Sequence, residues 1–470
     1  MITKTDYLTF LNTPMHLWAA QHGKIEVGPS LYEQHLMQQG HEIEILARQY
    51  LREFLLKGIE AEISQEETFL DGDFQIRVDL AARYPQDDLL DIYEIKSASS
   101  VRKNDIYDVA FQRLVCEASE KIRDVYLVHV KKDYIHQGEL ALENMFEVVN
   151  LNEEVEEVRE EILETRQLAL QTANLQVSDG IYTCLKPKTC PCPSLCHPDL
   201  PESSIYEVPR LHKNKTLELK SSGILTIRDI PDEFPLSDLQ NQHVVTVKKG
   251  EPSINKAAIL DELSSLEFPL NFIDYETYNP GTPIFPGYRP HQHVVYQYSL
   301  HIIREPDGEL EHYESLHASQ TDPGIKLVED LREHIPGNGS VIVWNKSFEA
   351  GRNQEMAQRY PDYRELLEDI NSRVYDLMEI FRKGYYIHPG FRGSASIKNV
   401  LPVLVPDFAG KYQELAISSG EGAMLAWGKL FSGELTPDQD KGLRYDLLRY
   451  CELDTLAMVK IWEKLRKIIY

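Results

Sequence analysis

The chain has 470 residues, 42% hydrophobic and 26% charged, with a formal net charge of −26. Such a length exceeds one core and implies two or three domains, and the composition excludes a disordered or fibrous chain. The acidic balance argues against a broad electrostatic footprint on duplex nucleic acid, while leaving room for a local basic groove.

In chain order, residues 1–60 read as helices: TDYLTFLNTPMHLWAAQ, then the amphipathic EIEILARQYLREFLLKG. The opening MITKTDYLTF has no apolar leader core and no apolar run is long enough to span a bilayer, so neither a signal peptide nor a membrane span is expected and the cytoplasm is the expected compartment. Residues 61–130 read as the strands EISQEETFL, FQIRVDLAARY, LLDIYEIKSA and VYLVHV, with the helix DVAFQRLVCEASE before the last. Residues 139–170 read as an acidic helix with a solvated face. Residues 201–265 read as a connector with short helices, punctuated by Pro and Gly. From Leu266 a second α/β pattern begins: NFIDYETY, VVYQYSLHII, ELEHYESLH and SVIVWN as strands, then EAGRNQEMAQRY and further helices ending in 440–468. No solenoid repeat is present. The fold class is α/β, with domains expected at 1–200 and 266–470 on either side of the connector.

Asp274 and Glu276 are two apart in a short apolar run, so on a strand both point the same way. Tyr450 and Asp454 are four apart in an apolar-periodic stretch, so on a helix they share a face. Carboxylates converging from a strand and a helix can hold paired divalent cations, which stabilise both the attacking and the leaving oxygen of a phosphodiester displacement. Glu94 and Lys96 repeat the two-residue spacing in the first half, with Asp79 ending the strand-like run before them. The cysteines are Cys116, Cys184, Cys190, Cys192, Cys196 and Cys451, four of them inside 184–196. Without a secretory leader, that clustering favours a metal or iron–sulfur site over a disulfide framework. Cys116 and Cys451 read as core residues.

Residues 266–470 resemble the DEDD exonucleases of the RNase H-like superfamily, on the strength of FIDYET, WNKSFE and YCELD. That resemblance implies a Mg²⁺ or Mn²⁺ site in which Asp274 bridges both ions, Glu276 and Asp454 complete the shells, and Tyr450, marking the tyrosine subclass, orients the attacking water. The third acid is usually Asp; here the matching position is Glu349, with Asn345 four residues earlier to position it. Asp376 reads as a supporting acid or an N-cap, Lys398 as a phosphate contact or an exposed lysine, and His291 and His293 as substrate contacts or ordinary surface residues.

Residues 1–200 resemble the PD-(D/E)XK nucleases of the RecB-like branch. The resemblance implies metal binding by Asp79 and Glu94, water activation by Lys96, and supporting roles for Glu44 (with His41 as a competitor) and Gln112. CRISPR-associated and AddB-like members staple this domain with an iron–sulfur cluster held by one early and three late cysteines. The late group here is Cys184, Cys190, Cys192 and Cys196, but Thr13 stands where the early cysteine is expected. Cys192 or His197 then becomes the substitute ligand, and a [4Fe–4S] cluster, a structural Zn²⁺ and a vestigial site all stay open. The whole chain resembles an uncharacterised bacterial family of RecB-like nucleases with an appended RNase H-like domain. The function expected is 3′–5′ exonuclease action on single-stranded DNA, in repair, recombination or defence. RNA processing is the alternative, and an inert N-terminal nucleic-acid clamp is a third reading.

Overall fold

Two β-sheet cores organise the chain, each flanked by helices, in a mixed α/β architecture. The computed structural model describes residues 1–469, with the side chains of all but Ala409 and Gln413. Its residues group into two units: 1–199 with 280–292, and 200–279 with 293–470. The stretch read as a connector therefore folds with the second unit, and the short segment after Asn279 with the first. No helix among the described residues is long and apolar enough to cross a membrane.

In the first unit, strands β1 (Ile2–Thr3), β2 (Glu62–Gln65), β3 (Thr68–Asp71), β4 (Phe74–Arg77), β5 (Leu80–Tyr84), β6 (Leu89–Lys96), β7 (Ile122–Val130) and β8 (Phe146–Asn150) form a small sheet, β1-β4-β3, and a five-stranded one, β2-β5-β6-β7-β8. Only β6 and β7 of the larger sheet pair in parallel, and helix α4 (Lys103–Cys116) makes the crossover between them that parallel strands require. Helices α1 (Lys4–Asn12), α2 (Pro14–Gln21) and α3 (Leu31–Tyr50) precede the sheet. Capping boxes open α1 (Thr3 with Asp6) and α3 (Ser30 with Glu33), satisfying orphan N–H groups at both starts. Alternation along β6 sends Leu90 and Ile92 into the core with α4, and Tyr93 and Ile95 into a second core with Ile43 and Ala47 of α3. Glu94 and Lys96 thus inherit the α4 face. The acidic helix expected at 139–170 is interrupted: after one helical turn at Leu142–Met145, FEVVN forms edge strand β8, and helix resumes over Asn152–Glu157 and α5 (Arg159–Asn174).

In the second unit, β9 (Ser253–Ile254) and β15 (Tyr386–Ile387) form a ribbon. Strands β10 (Leu270–Tyr278), β11 (Val294–Ile303), β12 (Leu310–Leu316), β13 (Val341–Val343) and β14 (Val374–Asp376) form a sheet of order β12-β11-β10-β13-β14. β10, β11 and β12 are antiparallel neighbours; β13 and β14 run parallel to β10. Every residue of β11 is buried, as a central strand covered on both faces demands. Helices α6 (Pro323–His334) and α7 (Lys346–Arg359) cover one face, where Ile273, Tyr275, Leu300 and Ile302 meet Leu327, Leu331 and Met356. The long α8 (Pro437–Ile469) covers the other through Leu453, Ala457, Met458, Ile461, Trp462 and Leu465, an i, i+3/i+4 stripe packed on Leu270 and Phe272. The former connector is keyed into this unit: Ile205 packs with Leu219, Ile227, Val244 and Val247, and Gly393 (φ +67°) presses so close to the backbone that an added Cβ would lie 1.7 Å from the Glu207 carbonyl oxygen.

Candidate functional site

Strand parity and helix period together build the acidic site. Leu270, Phe272, Asp274 and Glu276 share one face of β10, the face under α8. Asp454 lies within the α8 stripe beside Leu453 and Ala457, and Tyr450 one turn earlier. Glu349 sits in the first turn of α7, after β13, and is buried. The four acids come close enough that the charges of Asp454, Glu276 and Glu349 all act on Asp274. Asp274, Glu349 and Asp454 line a cleft of about 420 Å³, bounded also by Trp344, Phe348, Lys398 and Tyr412, and Glu276 is buried next to them on β10.

Burial and mutual repulsion dominate the electrostatics. Burial, then Asp454, Glu276 and Glu349, push Asp274 well above the carboxylate range. Burial and Asp454 push Glu276 well up, against Lys398. Burial raises Glu349 to about 8, with Asp376 adding to the rise, and its Oε2 is buried with no hydrogen-bond partner. Burial raises Asp454 only to about 6, because hydrogen bonds from Tyr412 and Tyr450 and the charge of Lys398 oppose it. The Tyr412 hydroxyl donates to Asp454 Oδ1 at 2.6 Å. Oxygen donors crowded in this way, short of positive charge, can hold hard divalent cations.

The supporting residues named from sequence sort clearly. Asp376 accepts from the backbone N–H of Lys346 (3.1 Å) and Met378 (3.0 Å), capping the start of α7 while adding charge beside Glu349. Asn345, at the α7 N-cap, makes no side-chain cap bond and instead accepts from Ser347 at 2.7 Å. The two histidines of RPHQH part company. His291 belongs to the first unit, with Nε2 2.6 Å from the Ser97 carbonyl oxygen, whereas His293 belongs to the second, with Nδ1 2.8 Å from the Thr277 hydroxyl.

In the first unit Glu94 is buried and receives Lys96 Nζ (2.6 Å), Lys4 Nζ (2.7 Å) and Gln112 Nε2 (2.7 Å). Burial alone would raise its pKa, but the ammonium groups of Lys96 and Lys4 hold it well below the carboxylate range. Lys96 also donates to Asp108 at 2.6 Å. Asp79, between β4 and β5, accepts from the Ile95 backbone N–H at 2.8 Å, and burial with the Glu94 charge lifts it to about 8. Lys4 Nζ lies 3.9 Å from Asp79 Oδ1, so one ammonium stands between the two acids expected to hold metal. Glu44 is ion-paired with Arg48, lies 3.5 Å from His41 Nδ1, and its charge reaches Asp79 as a minor contribution.

All four clustered cysteines are buried against Met15, Trp18 and Ala19 of α2. Thr13 is buried too, its hydroxyl donating to the Asn12 carbonyl oxygen. The imidazole that reaches the sulfurs is His16, three residues further, with Nε2 3.6 Å from Cys190 Sγ. Cys184 Sγ lies 3.2 Å from His197 Nε2.

Sequence reading passed over Lys4, His16, Asp108 and Tyr412. Asp108 had a signal, since it precedes Gln112 by one helical turn. His16 would have come from searching the early helix for any soft donor and not for cysteine alone. Lys4 is 90 residues from Glu94, and Tyr412 lies in a short 3₁₀ helix, Gly410–Glu414, 42 residues from Asp454, so neither had a local pattern.

Residues 271–396 match a family described as a domain of unknown function, DUF2779. That span holds Asp274, Glu276 and Glu349 and stops short of Tyr450 and Asp454. The chain is similar to the uncharacterized protein UU173 of Ureaplasma parvum, 26% identical over 279 residues, covering 55% of this chain and 40% of that protein. It is also similar to the uncharacterized protein MG366 of Mycoplasma genitalium, 28% identical over 208 residues, and to the MG366 homolog of Mycoplasma pneumoniae, 27% identical over 209; each alignment covers 40% of this chain and 31% of the relative. The matched stretch thus spans less than half of each relative.

Proposed function

We propose that the second unit is a Mg²⁺- or Mn²⁺-dependent nuclease with an RNase H-like DEDD site of the tyrosine subclass, removing nucleotides from the 3′ end of a single strand. The observation that carries this reading is the convergence of Asp274, Glu276, Glu349 and Asp454 into one buried cluster, three of them lining a cleft, with a buried oxygen of Glu349 left unpartnered. Those four residues would hold the cations, which when bound supply charge stabilisation for the attacking and leaving oxygens. The remaining tasks fall to the chain's own groups. The Tyr450 hydroxyl, bonded to Asp454, orients the attacking water. Lys398, close enough to act on both Glu276 and Asp454, meets the phosphate charge. Trp344 and Phe348 on the cleft wall offer faces on which a base stacks. The water loses a proton as its oxygen bonds to phosphorus, the P–O bond to the preceding sugar breaks with that 3′-oxygen taking up a proton, and one nucleoside 5′-monophosphate leaves. A second cleft of about 560 Å³ shares Asn345 and carries Arg210 and Arg382, local positive charge suited to the rest of the strand despite the acidic total. Single-stranded DNA is the favoured substrate and RNA the alternative; repair, recombination or defence is the setting that fits.

For the first unit, RecB-like PD-(D/E)XK chemistry through Asp79, Glu94 and Lys96 is one reading. Lys4 favours the other, a nucleic-acid clamp, because its ammonium already pairs with Glu94 and stands 3.9 Å from Asp79, where a cation would sit. The cysteine cluster is proposed to hold a metal that staples this unit, iron–sulfur and zinc both being compatible with thiolate donors.

The test uses full-length protein on strands labelled at either end, with Mg²⁺, Mn²⁺ or chelator. Asp274→Asn is expected to slow metal-dependent cleavage by about 10²–10³, the usual cost of removing one transition-state-stabilising group, while Lys96→Ala leaves it intact. Cleavage that survives Asp274→Asn but not Lys96→Ala moves the active site to the first unit; no cleavage by the unaltered protein removes the nuclease reading.

A further inference from the structure

We infer that the cysteine-rich turn of the first unit binds a single tetrahedral Zn²⁺, with His16 as a ligand beside Cys190, Cys192 and Cys196, and not a four-iron cluster. The inference rests on reading this turn as a metal site and goes further, to the metal and its ligands. His16 Nε2 and the three sulfurs all lie within 4.8 Å of one another. Cys192 and Cys196 Sγ are 3.8 Å apart, and Cys190 Sγ is 3.6 Å from His16 Nε2. Zinc–sulfur bonds of about 2.3 Å and zinc–nitrogen bonds of about 2.0–2.1 Å give a tetrahedron with edges of roughly 3.4–3.8 Å. The Cys192–Cys196 and Cys190–His16 separations are edges of that size.

A four-iron cluster asks for something else. Each thiolate binds a different iron, with sulfide bridging the irons, so its ligand sulfurs stand farther apart than one tetrahedral edge. Three thiolates with one imidazole are also a donor set zinc accepts readily. Cys184 falls into a second group with Cys190 and His197. It touches Cys196 and His16 as well as His197 (3.2 Å) but does not share the mutual spacing of the other four donors, and on this assignment it stands beside the ion as a hydrogen-bonded neighbour. The position of His16 explains how Thr13 can stand where a cysteine was expected: the ligand from the early helix comes from the next turn. The ion would tie α2 to a turn 174 residues away along the chain, and clips that close long loops constrain the unfolded chain most.

Full-length protein purified without oxygen is assayed for zinc, iron and acid-labile sulfide, then loaded with Co²⁺ and its visible spectrum recorded for the unaltered chain, His16→Ala, His16→Cys and Cys184→Ser. Expected are colourless protein with one zinc per chain and no sulfide, and Co²⁺ ligand-field bands of tetrahedral intensity. Those bands should weaken severalfold or vanish in His16→Ala, return red-shifted in His16→Cys, and persist in Cys184→Ser. The His16→Cys chain guards against simple misfolding. Brown protein with iron and sulfide in equal amounts overturns the inference while leaving a metal site in place. Bands that survive His16→Ala but not Cys184→Ser overturn the ligand assignment. Absence of any metal overturns both this inference and the reading beneath it.

Discussion

Replacing Glu349 by Gln tests whether the acidic cluster is a cation site or an ordinary set of buried carboxyls. Glu349 is buried with one oxygen unpartnered, and its pKa rises from 4.5 to about 8. At about 1.4 kcal/mol per unit, that rise corresponds to on the order of 5 kcal/mol for holding the group ionised without metal. This is an upper bound, because Asp274 and Glu276 respond to the same cluster and share the protons. The folded pKa is the raised one, so the proton-linked stability is complete below the unfolded value near 4.5 and is lost as pH climbs through about 8. Gln cannot ionise and escapes that loss. In chelator, the two proteins should melt together at pH 5, and the variant should be the more stable by about 2–3 kcal/mol at pH 9, roughly 5–10 °C for a unit of this size. Added Mn²⁺ should reverse the order, raising the unaltered melting point at pH 8–9 by mass action and the variant's far less. Differential scanning calorimetry across pH, with and without Mn²⁺, reads all of this. A variant less stable than the parent at pH 9 in chelator, or an equal Mn²⁺ shift in both, would refute the reasoning.

Other consequences can be checked alongside. Tyr450→Phe should lower cleavage about 10–100-fold with Mn²⁺ affinity nearly unchanged, as for loss of a positioned water-orienting group; calorimetric titration with Mn²⁺ beside a rate assay separates the two effects. Tyr412→Phe removes the 2.6 Å hydrogen bond to Asp454 and should shift the alkaline rise of Mn²⁺ affinity to higher pH, because the bond stabilises the ionised acid. Lys4→Met should destabilise the first unit by about 2 kcal/mol, less than the 3–5 kcal/mol typical of an orphaned buried charge because Lys96 and Gln112 remain on Glu94, and Mn²⁺ should restore part of the loss; an unchanged melting point argues that Lys4 is not the counter-ion. Gly393→Ala should cost the second unit at least about 2 kcal/mol in urea unfolding, since the new Cβ would meet the Glu207 carbonyl oxygen at 1.7 Å and φ is +67°.

What the sequence disclosed follows its periodicities. The two-residue spacing of Asp274 and Glu276 and the four-residue spacing of Tyr450 and Asp454 identify shared faces before any coordinates, because strand and helix geometry dictate them. Glu349 was reachable through WNKSFE, where a short apolar strand gives way to a helix. Contacts made by residues in short 3₁₀ turns or across long separations left no periodic trace, as with Tyr412 and Lys4. The strand at Phe146–Asn150 went unread because five residues of FEVVN carry too little alternation to stand out beside a long glutamate-rich helical pattern. Its pairing with β7 decides the matter through partners that lie elsewhere in the chain.

The keying of Gly393 onto Glu207 has a practical consequence for anyone cutting or splicing this gene product. Two-unit chains are commonly separated at the stretch that looks least structured, and here that habit would sever residues 201–265 from the body they help to build. A fragment starting at Leu266 would leave the Gly393 seat without its tenant and strip an apolar surface bare. Extra length inserted at this point would act as a wedge, not as slack; a cut near Leu200 spares this packing but parts residues 280–292 from the first unit, so no single position for the scissors separates the two units cleanly.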